Sequence, residues 1–257
     1  MPSGHAATPE EMFELVDGVR TDEPGWFEFG GVTLTPTDIV TMLGPRISDD
    51  RRAKMEDALE ARVDSVAVVV EGMVDLGNVG AVMRSADGFG IQRFHTIDTA
   101  GAYKRSRRTS QGADKWIDRW RWESVNECYR HLRKMGFRIA VADLGDATPL
   151  GDVDFSGHLA VVFGNELEGV SDDARRGADE VFTIPMSGFA ESFNISVAAS
   201  IVLYELRRRR EEAGGRAGDL SPERRDAIRA VWYMKSVREA RRIVERALAD
   251  GYQPAGT

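Results

Sequence analysis

Through the middle of the chain, short runs of β-branched and apolar residues alternate with segments of helical periodicity. Near-continuous apolar character predicts strands over residues 65–71, 93–97, 137–142, 159–163 and 181–184, and a 3.6-residue period predicts helices over about 78–89, 123–135, 171–177 and 193–212. A crossover helix returns the chain to the edge it left, so strands separated by helices pair in parallel and are covered on both faces. The expected fold class is therefore α/β. In such a sheet the ligand site lies outside the carboxyl ends of the strands, which directs attention to three loops: residues 75–80, 163–169 and 184–199.

The flanks read differently. Residues 1–48 form an acidic extension punctuated by Pro and Gly, with one helical pattern near 10–16, an extended stretch over 26–34, and no role legible in its residues. Residues 49–62 predict a helix leading into the domain, with Arg51, Arg52, Lys54 and Arg62 set against Met55, Ala58 and Leu59. The linker Ala213-Gly214-Gly215-Arg216-Ala217-Gly218 introduces a basic helical tail carrying Trp232, Tyr233, Lys235, Arg238, Arg241 and Arg242. The expected organisation is an extension over 1–48, a catalytic-sized domain over 49–212, and linker plus tail over 213–257.

Composition narrows the class. With 257 residues, 42% hydrophobic and 30% charged, the chain can bury one sizeable core. No apolar run approaches the roughly 20 residues that cross a bilayer, and the acidic N-terminus lacks the pattern of a signal peptide, so a cytoplasmic location is expected. The single Cys128 excludes an internal disulfide, and with His5, His95, His131 and His158 scattered, no protein-built metal centre is expected. Cys128 sits in a helical pattern and reads as a buried small residue.

The net charge of −8 conceals segregation. Residues 1–50 hold ten acidic and two basic side chains, whereas residues 104–138 hold eleven basic and four acidic, and residues 207–246 thirteen basic and seven acidic. Basic blocks in an acidic protein leave a nucleic-acid partner open. Arg207 to Arg210, followed by Glu211 and Glu212, also reads as a solvated helix face. The segment Lys104-Arg105-Ser106-Arg107-Arg108, continued by Lys115, Arg119 and Arg121 among Trp116, Trp120 and Trp122, suits phosphate contact with base stacking.

Three loops carry candidate chemistry. Gly77-Asn78-Val79-Gly80 opens a helix, and Arg84 follows within two turns amid Val79, Val82, Met83 and Ala86. A charge in such company calls for an anionic partner, either a ligand or an internal acid such as Glu166, unless the side chain snorkels to water. Gly164-Asn165-Glu166-Leu167-Glu168-Gly169 places a carboxylate and an amide behind a buried strand, ahead of a helix capped by Ser171. Pro185 and Gly188 punctuate the third loop, where Ser192 and Asn194 stand at a helix N-terminus, as a ligand clamp or as a simple cap.

Taken together, these segments resemble the SpoU/TrmH family of RNA ribose 2′-O-methyltransferases, in the wider SPOUT class. Asn78-x-Gly80-x-x-x-Arg84 is similar to the family's first motif, Gly164-Asn165-Glu166-x-x-Gly169 to its second, and Ile184-Pro185-Met186 with Ser192-x-Asn194-x-Ser196-x-Ala198 to its third. The likeness covers residues 49–212 and is greatest to the TrmH tRNA (guanosine-2′-O)-methyltransferases, because Ser110-Gln111-Gly112-Ala113-Asp114-Lys115-Trp116 resembles a Ser-Gly-Gly-Ser-His-Lys-Trp stretch there. Phe193 departs from the family's usual Leu, and residues 1–48 have no counterpart in it.

The resemblance implies a SPOUT-type parallel sheet with helices on both faces, a deep C-terminal trefoil knot, an obligate homodimer, and S-adenosylmethionine as cofactor. It implies a cofactor wall of Ala142, Leu144, Gly164, Ile184, Met186, Phe193 and Asn194, and reaction of a guanosine in the tRNA D-loop. Arg84 is the implied essential residue, with Asn78, Glu166, Ser192 and Asn194 ordering the site; a guanidinium is effectively always charged, which favours alkoxide and phosphate stabilisation over a literal base. Arg51, Arg52, Arg62, Lys104, Arg105, Arg107, Arg108 and Lys115 are the implied RNA contacts. Ribosomal RNA as substrate, or a catalytically silent RNA-binding factor on the same scaffold, are the alternatives. A dinucleotide oxidoreductase is disfavoured, since no Gly-x-Gly-x-x-Gly fingerprint follows the first strand.

Overall fold

The unbroken run Val66-Ala67-Val68-Val69-Val70 is what a strand buried on both faces requires, and it forms an interior strand of a seven-stranded sheet. The computed structural model describes residues 27–72, 76–98, 112, 115–145, 147–165, 168–214 and 218–255. They form two compact units, one from residues 63–214 and the other from 27–62 with 218–255. Residues 49–62 thus group with the C-terminal helices, whereas the sequence placed them with the sheet. Glu56 of this segment pairs with Arg229 of the tail at 2.6 Å, a partner that periodicity does not identify.

The helical unit starts with a hairpin, β1 (Phe27–Phe29) and β2 (Val32–Leu34), over the stretch expected to be extended, followed by helices α1 (Pro36–Leu43) and α2 (Asp49–Glu60). The sheet unit follows with β3 (Val63–Glu71), α3 (Leu76–Gly88), β4 (Ile91–Ile97), β5 (Asp118–Trp122), α4 (Val125–Lys134), β6 (Arg138–Ala142), β7 (Thr148–Pro149), β8 (Leu159–Phe163), α5 (Asp172–Arg176), β9 (Glu180–Thr183) and α6 (Ile195–Glu212). Helices α7 (Pro222–Ser236) and α8 (Ala240–Ala249) complete the first unit.

Strand order is β5-β4-β3-β8-β6-β9-β7, and every pairing is parallel. Successive side chains of β3 face opposite ways. Val66, Val68 and Val70 pack with Val79, Val82 and Ala86 of α3 and Ala199, Val202 and Leu203 of α6, while Ala67 and Val69 pack with Val125, Cys128 and Leu132 of α4. Helices therefore cover both faces. Strand order defines neighbours and not threading, so the knot stays an expectation of the resemblance.

Two sequence expectations are corrected here. Residues 118–122, read as a basic and aromatic RNA-contacting stretch, form the edge strand β5. Trp120 is buried and stacks on His95 at 4.5 Å, Trp122 Nε1 donates to His95 Nδ1 at 3.0 Å, and Arg121 pairs with Asp98 at 2.5 Å. The alternation of tryptophan and arginine is the period of a strand with one face on the core. Arg62, expected to grip RNA, is 3% exposed, with its guanidinium 5.1 Å from the centre of the Trp232 ring in the helical unit's core. Buried under that indole, it has no path to a phosphate.

The Arg207–Arg210 run is also absorbed by the fold. Arg207 and Arg208 pair with Glu211, Glu205 and Glu212 along α6; Arg209 donates to the carbonyls of Gly151 and Val153, and Arg210 to Phe155 and Ser65.

Candidate active site

Three strand ends lie side by side. Ala142 pairs in register with Phe163 on one side and Phe182 on the other, so the chain leaves β6, β8 and β9 at a common edge. The Asp143 N–H donates to the Phe182 carbonyl at 2.9 Å, carrying the pairing one residue past β6. Of the expected cofactor wall, Ala142, Gly164 and Ile184 therefore sit at or just past three neighbouring strand ends, and Leu144 and Met186 follow within three residues of them, although the pieces are far apart in sequence. Leu144 is 51% exposed and Phe193 38% exposed, large apolar side chains with their faces unpacked.

The loop after β8 is tightly closed. Asn165 and Gly169 exchange backbone hydrogen bonds of 3.1 and 3.0 Å, and Asn165 Oδ1 accepts from the Glu168 N–H at 2.8 Å. A Cβ on Gly164 would sit 2.1 Å from the Gly169 carbonyl carbon, so only glycine fits there. Glu166, on the same loop, lies outside the described residues, as do Lys104, Arg105, Arg107 and Arg108.

The first and third loops meet through two amides. Asn194 caps α6: its Oδ1 accepts from Ser196 N at 2.9 Å and Ser196 Oγ at 2.5 Å, leaving Nδ2 to donate to Asn78 Oδ1 at 3.1 Å. A second contact, Ser85 Oγ to Ser200 Oγ at 2.8 Å, joins the same two helices farther along. Pairings in the same order along both helices mean that α3 and α6 run side by side in one direction. The cap and the clamp, alternatives in the sequence, are one side chain.

Arg84 is exposed and forms no ion pair among the described residues. Val82, Met83 and Ala86 are buried in the core, so the apolar company that called for an internal acid belongs to the opposite face of α3. Ser192 is exposed two residues before the cap. Lys115 and Arg51 are exposed; Arg52 is half-exposed and pairs with Asp49. Cys128 is buried, and burial, with Glu71 adding to it, pushes its thiol well up, which removes it as a nucleophile.

The structure also brings forward residues that the sequence reading passed over. Glu71, the last residue of β3, accepts from Ser171 N at 2.9 Å and Ser171 Oγ at 2.6 Å. Asp143 pairs with Arg175 of α5, whose guanidinium also reaches the Leu144 carbonyl at 3.3 Å. A charge ending an apolar strand was the one signal for Glu71. No group of metal-ligating side chains occurs among the described residues, and no helix there is long and apolar enough to cross a membrane.

Comparison with known proteins fits this geometry. The SpoU rRNA Methylase family matches residues 65–204, within the sheet unit. A tRNA (guanosine(18)-2′-O)-methyltransferase from Thermus thermophilus is 33% identical over 190 residues, covering 73% of this chain and 98% of the relative. One from Escherichia coli is 28% identical over 165 residues, 64% of this chain and 72% of the relative. Among solved structures, the TrmH/SpoU tRNA modifying enzyme of Aquifex aeolicus superposes with a TM-score of 0.68 at 30% identity, covering 74% of this chain and 98% of that one. A SpoU methyltransferase of Streptomyces viridochromogenes in complex with AdoMet gives 0.54 at 27% identity, with 62% of each chain covered.

Proposed function

Because the chain belongs to the SpoU rRNA methylase family, we propose that it methylates the ribose 2′-oxygen of a guanosine in tRNA, using S-adenosylmethionine. The observation that carries this reading is the Asn194 to Asn78 hydrogen bond, which joins the first and third motifs. The residues fit the cofactor. Backbone of three adjacent strand ends, with Leu144 exposed two residues past one of them, offers an apolar, hydrogen-bonding surface, and Phe193 is a second exposed apolar side chain in the third motif. Ala142, Leu144, Gly164, Ile184, Met186, Phe193 and Asn194 would hold the cofactor, which when bound supplies an activated methyl carbon.

The protein's remaining tasks are alignment and charge. Arg84, a permanent cation that forms no ion pair among the described residues, is exposed to meet the ribose and its phosphate, and stabilises negative charge as the 2′-oxygen passes its proton to water. Asn78 is held by Asn194 and orients the ribose; Glu166 and Ser192 order the mouth of the site. Holding reacting groups in line is the larger part of the rate in such a transfer.

RNA grip falls to Arg51, Arg52, Lys115 and the Lys104, Arg105, Arg107 and Arg108 segment, and makes binding strongly salt-dependent. The working form is a homodimer whose chains each carry the family's trefoil knot. Val197 and Tyr204, exposed and seven residues apart on one face of α6, with Phe89 against the Tyr204 ring at 6.4 Å, support a partner copy on that face. The same reading puts the enzyme in the cytoplasm with its tRNA. Methyl transfer from labelled cofactor to unmodified tRNA and rRNA, with the modified nucleotide mapped, is the test. A guanosine in tRNA is expected; transfer to rRNA alone overturns the tRNA assignment, and cofactor binding without transfer indicates a silent scaffold.

A further inference from the structure

Glu71 is a carboxylate that a fold of this kind has no packing reason to bury. It is 2% exposed at the end of the interior strand β3, and no cation pairs with it among the described residues. Its hydrogen bonds both come from Ser171, one hundred residues later in the chain. Burying an acid against neutral donors is costly, and an apolar pair would pack the two segments at less expense. The arrangement makes sense only if it specifies a geometry.

That geometry is the turn that follows β8, on the edge assigned above to the cofactor. Ser171 is the N-cap of α5, with its Oγ accepting from the Ala174 N–H at 3.1 Å. Because Oγ donates its one proton to Glu71 Oε1, a lone pair is left facing Ala174, and the carboxylate locks the cap in a single rotamer. Two residues upstream is Gly169, whose backbone closes the loop onto Asn165. Beneath Asn165 runs Gly72, with φ of +69°, so close that a Cβ there would lie 2.7 Å from Asn165 Nδ2. Glu71 and Gly72 thus brace both ends of the 165–171 segment, and the segment continues directly from Gly164.

We propose that Glu71 is a positioning residue for the cofactor: acting through Ser171, it holds Gly164, Asn165 and Gly169 in the arrangement that binds S-adenosylmethionine. This rests on the methyltransferase reading above. It is tested on the full chain by steady-state methyl transfer, with tRNA saturating and cofactor varied, then the reverse, beside a thermal melt of each variant. For Glu71→Gln, KM for the cofactor is expected to rise about tenfold while KM for tRNA moves less than about twofold. Ser171→Ala is expected to raise the cofactor KM about threefold, and the double variant to be no worse than Glu71→Gln alone, because the two act as one contact.

A residue that merely supports the fold would lower the active fraction and hence kcat, leaving both KM values in place. A Glu71→Gln enzyme with the wild-type cofactor KM, or with a loss confined to kcat, overturns the proposal. Should Glu71→Gln not fold, Ser171→Ala decides by the same criterion. Equilibrium dialysis of the wild type separates the two layers: no cofactor binding there overturns the functional reading and this inference with it, whereas normal binding with an indifferent Glu71→Gln overturns the inference alone.

Discussion

Removing the Asn194 side chain should cost more than removing Asn78, and removing both should cost little more than Asn194 alone. Among the described residues the Asn194 side chain accepts two hydrogen bonds as the cap of α6 and donates one to Asn78. An N-cap is worth about 1 kcal/mol and a neutral exposed hydrogen bond about 1 kcal/mol, so Asn194→Ala should destabilise by about 2 kcal/mol and Asn78→Ala by about 1 kcal/mol. If the 3.1 Å contact is the link between them, the double variant should lose about 2 and not about 3 kcal/mol, a coupling of about 1 kcal/mol. Urea unfolding of the four proteins, read from midpoints at constant slope, measures it. Additive losses, within about 0.3 kcal/mol, would refute the link between the two motifs and with it the structural basis for a shared site.

Arg84→Ala should abolish turnover, a fall of about a thousandfold or more, while changing stability by less than about 0.5 kcal/mol and leaving cofactor binding intact, since the side chain is exposed and forms no ion pair among the described residues; wild-type turnover would remove it from the chemistry. Arg62→Ala should destabilise the chain by about 2 kcal/mol and leave tRNA affinity in the folded fraction unchanged, whereas Arg51→Ala should weaken tRNA binding and flatten its salt dependence without a change in melting. The reverse pattern in filter binding would restore Arg62 to the RNA surface. Burial, with repulsion from His131 and Arg93, holds the His95 imidazole well below its ordinary 6.5. The unfolded chain then binds the proton and the native chain does not, so stability is lost as pH falls below that value, by about 1.4 kcal/mol between about pH 7.5 and pH 5.5. His95→Gln should lose most of that drop in urea melts at the two pH values; retention of the full drop would assign it to other groups.

The sheet was legible because its signal is local. Five strands and the helices between them appear within a residue or two of their expected places, since a valine run or a 3.6-residue period is set by neighbours in sequence. The edge strand β5 was misread for the opposite reason. Tryptophan and arginine alternate identically in a stacking surface and in a strand with one wet face, and only His95 beneath Trp120 distinguishes them. Arg62 failed likewise, because the Trp232 that covers it arrives from the other end of the chain.

At the site, residue identities came from the sequence and their contacts from the fold. Asn78, Arg84 and Asn194 stand out as polar residues at loop and helix starts, and the three motifs that hold them are contiguous stretches of chain. That Asn78 and Asn194 touch, that Arg84 faces outward, and that Glu71 braces Ser171 were decided only when parallel strands brought distant carboxyl ends to one edge. Local patterning determines which elements form, because propensity and periodicity act over a few residues. Which side chains meet depends on strand order and register, and those are set by burial of the whole core.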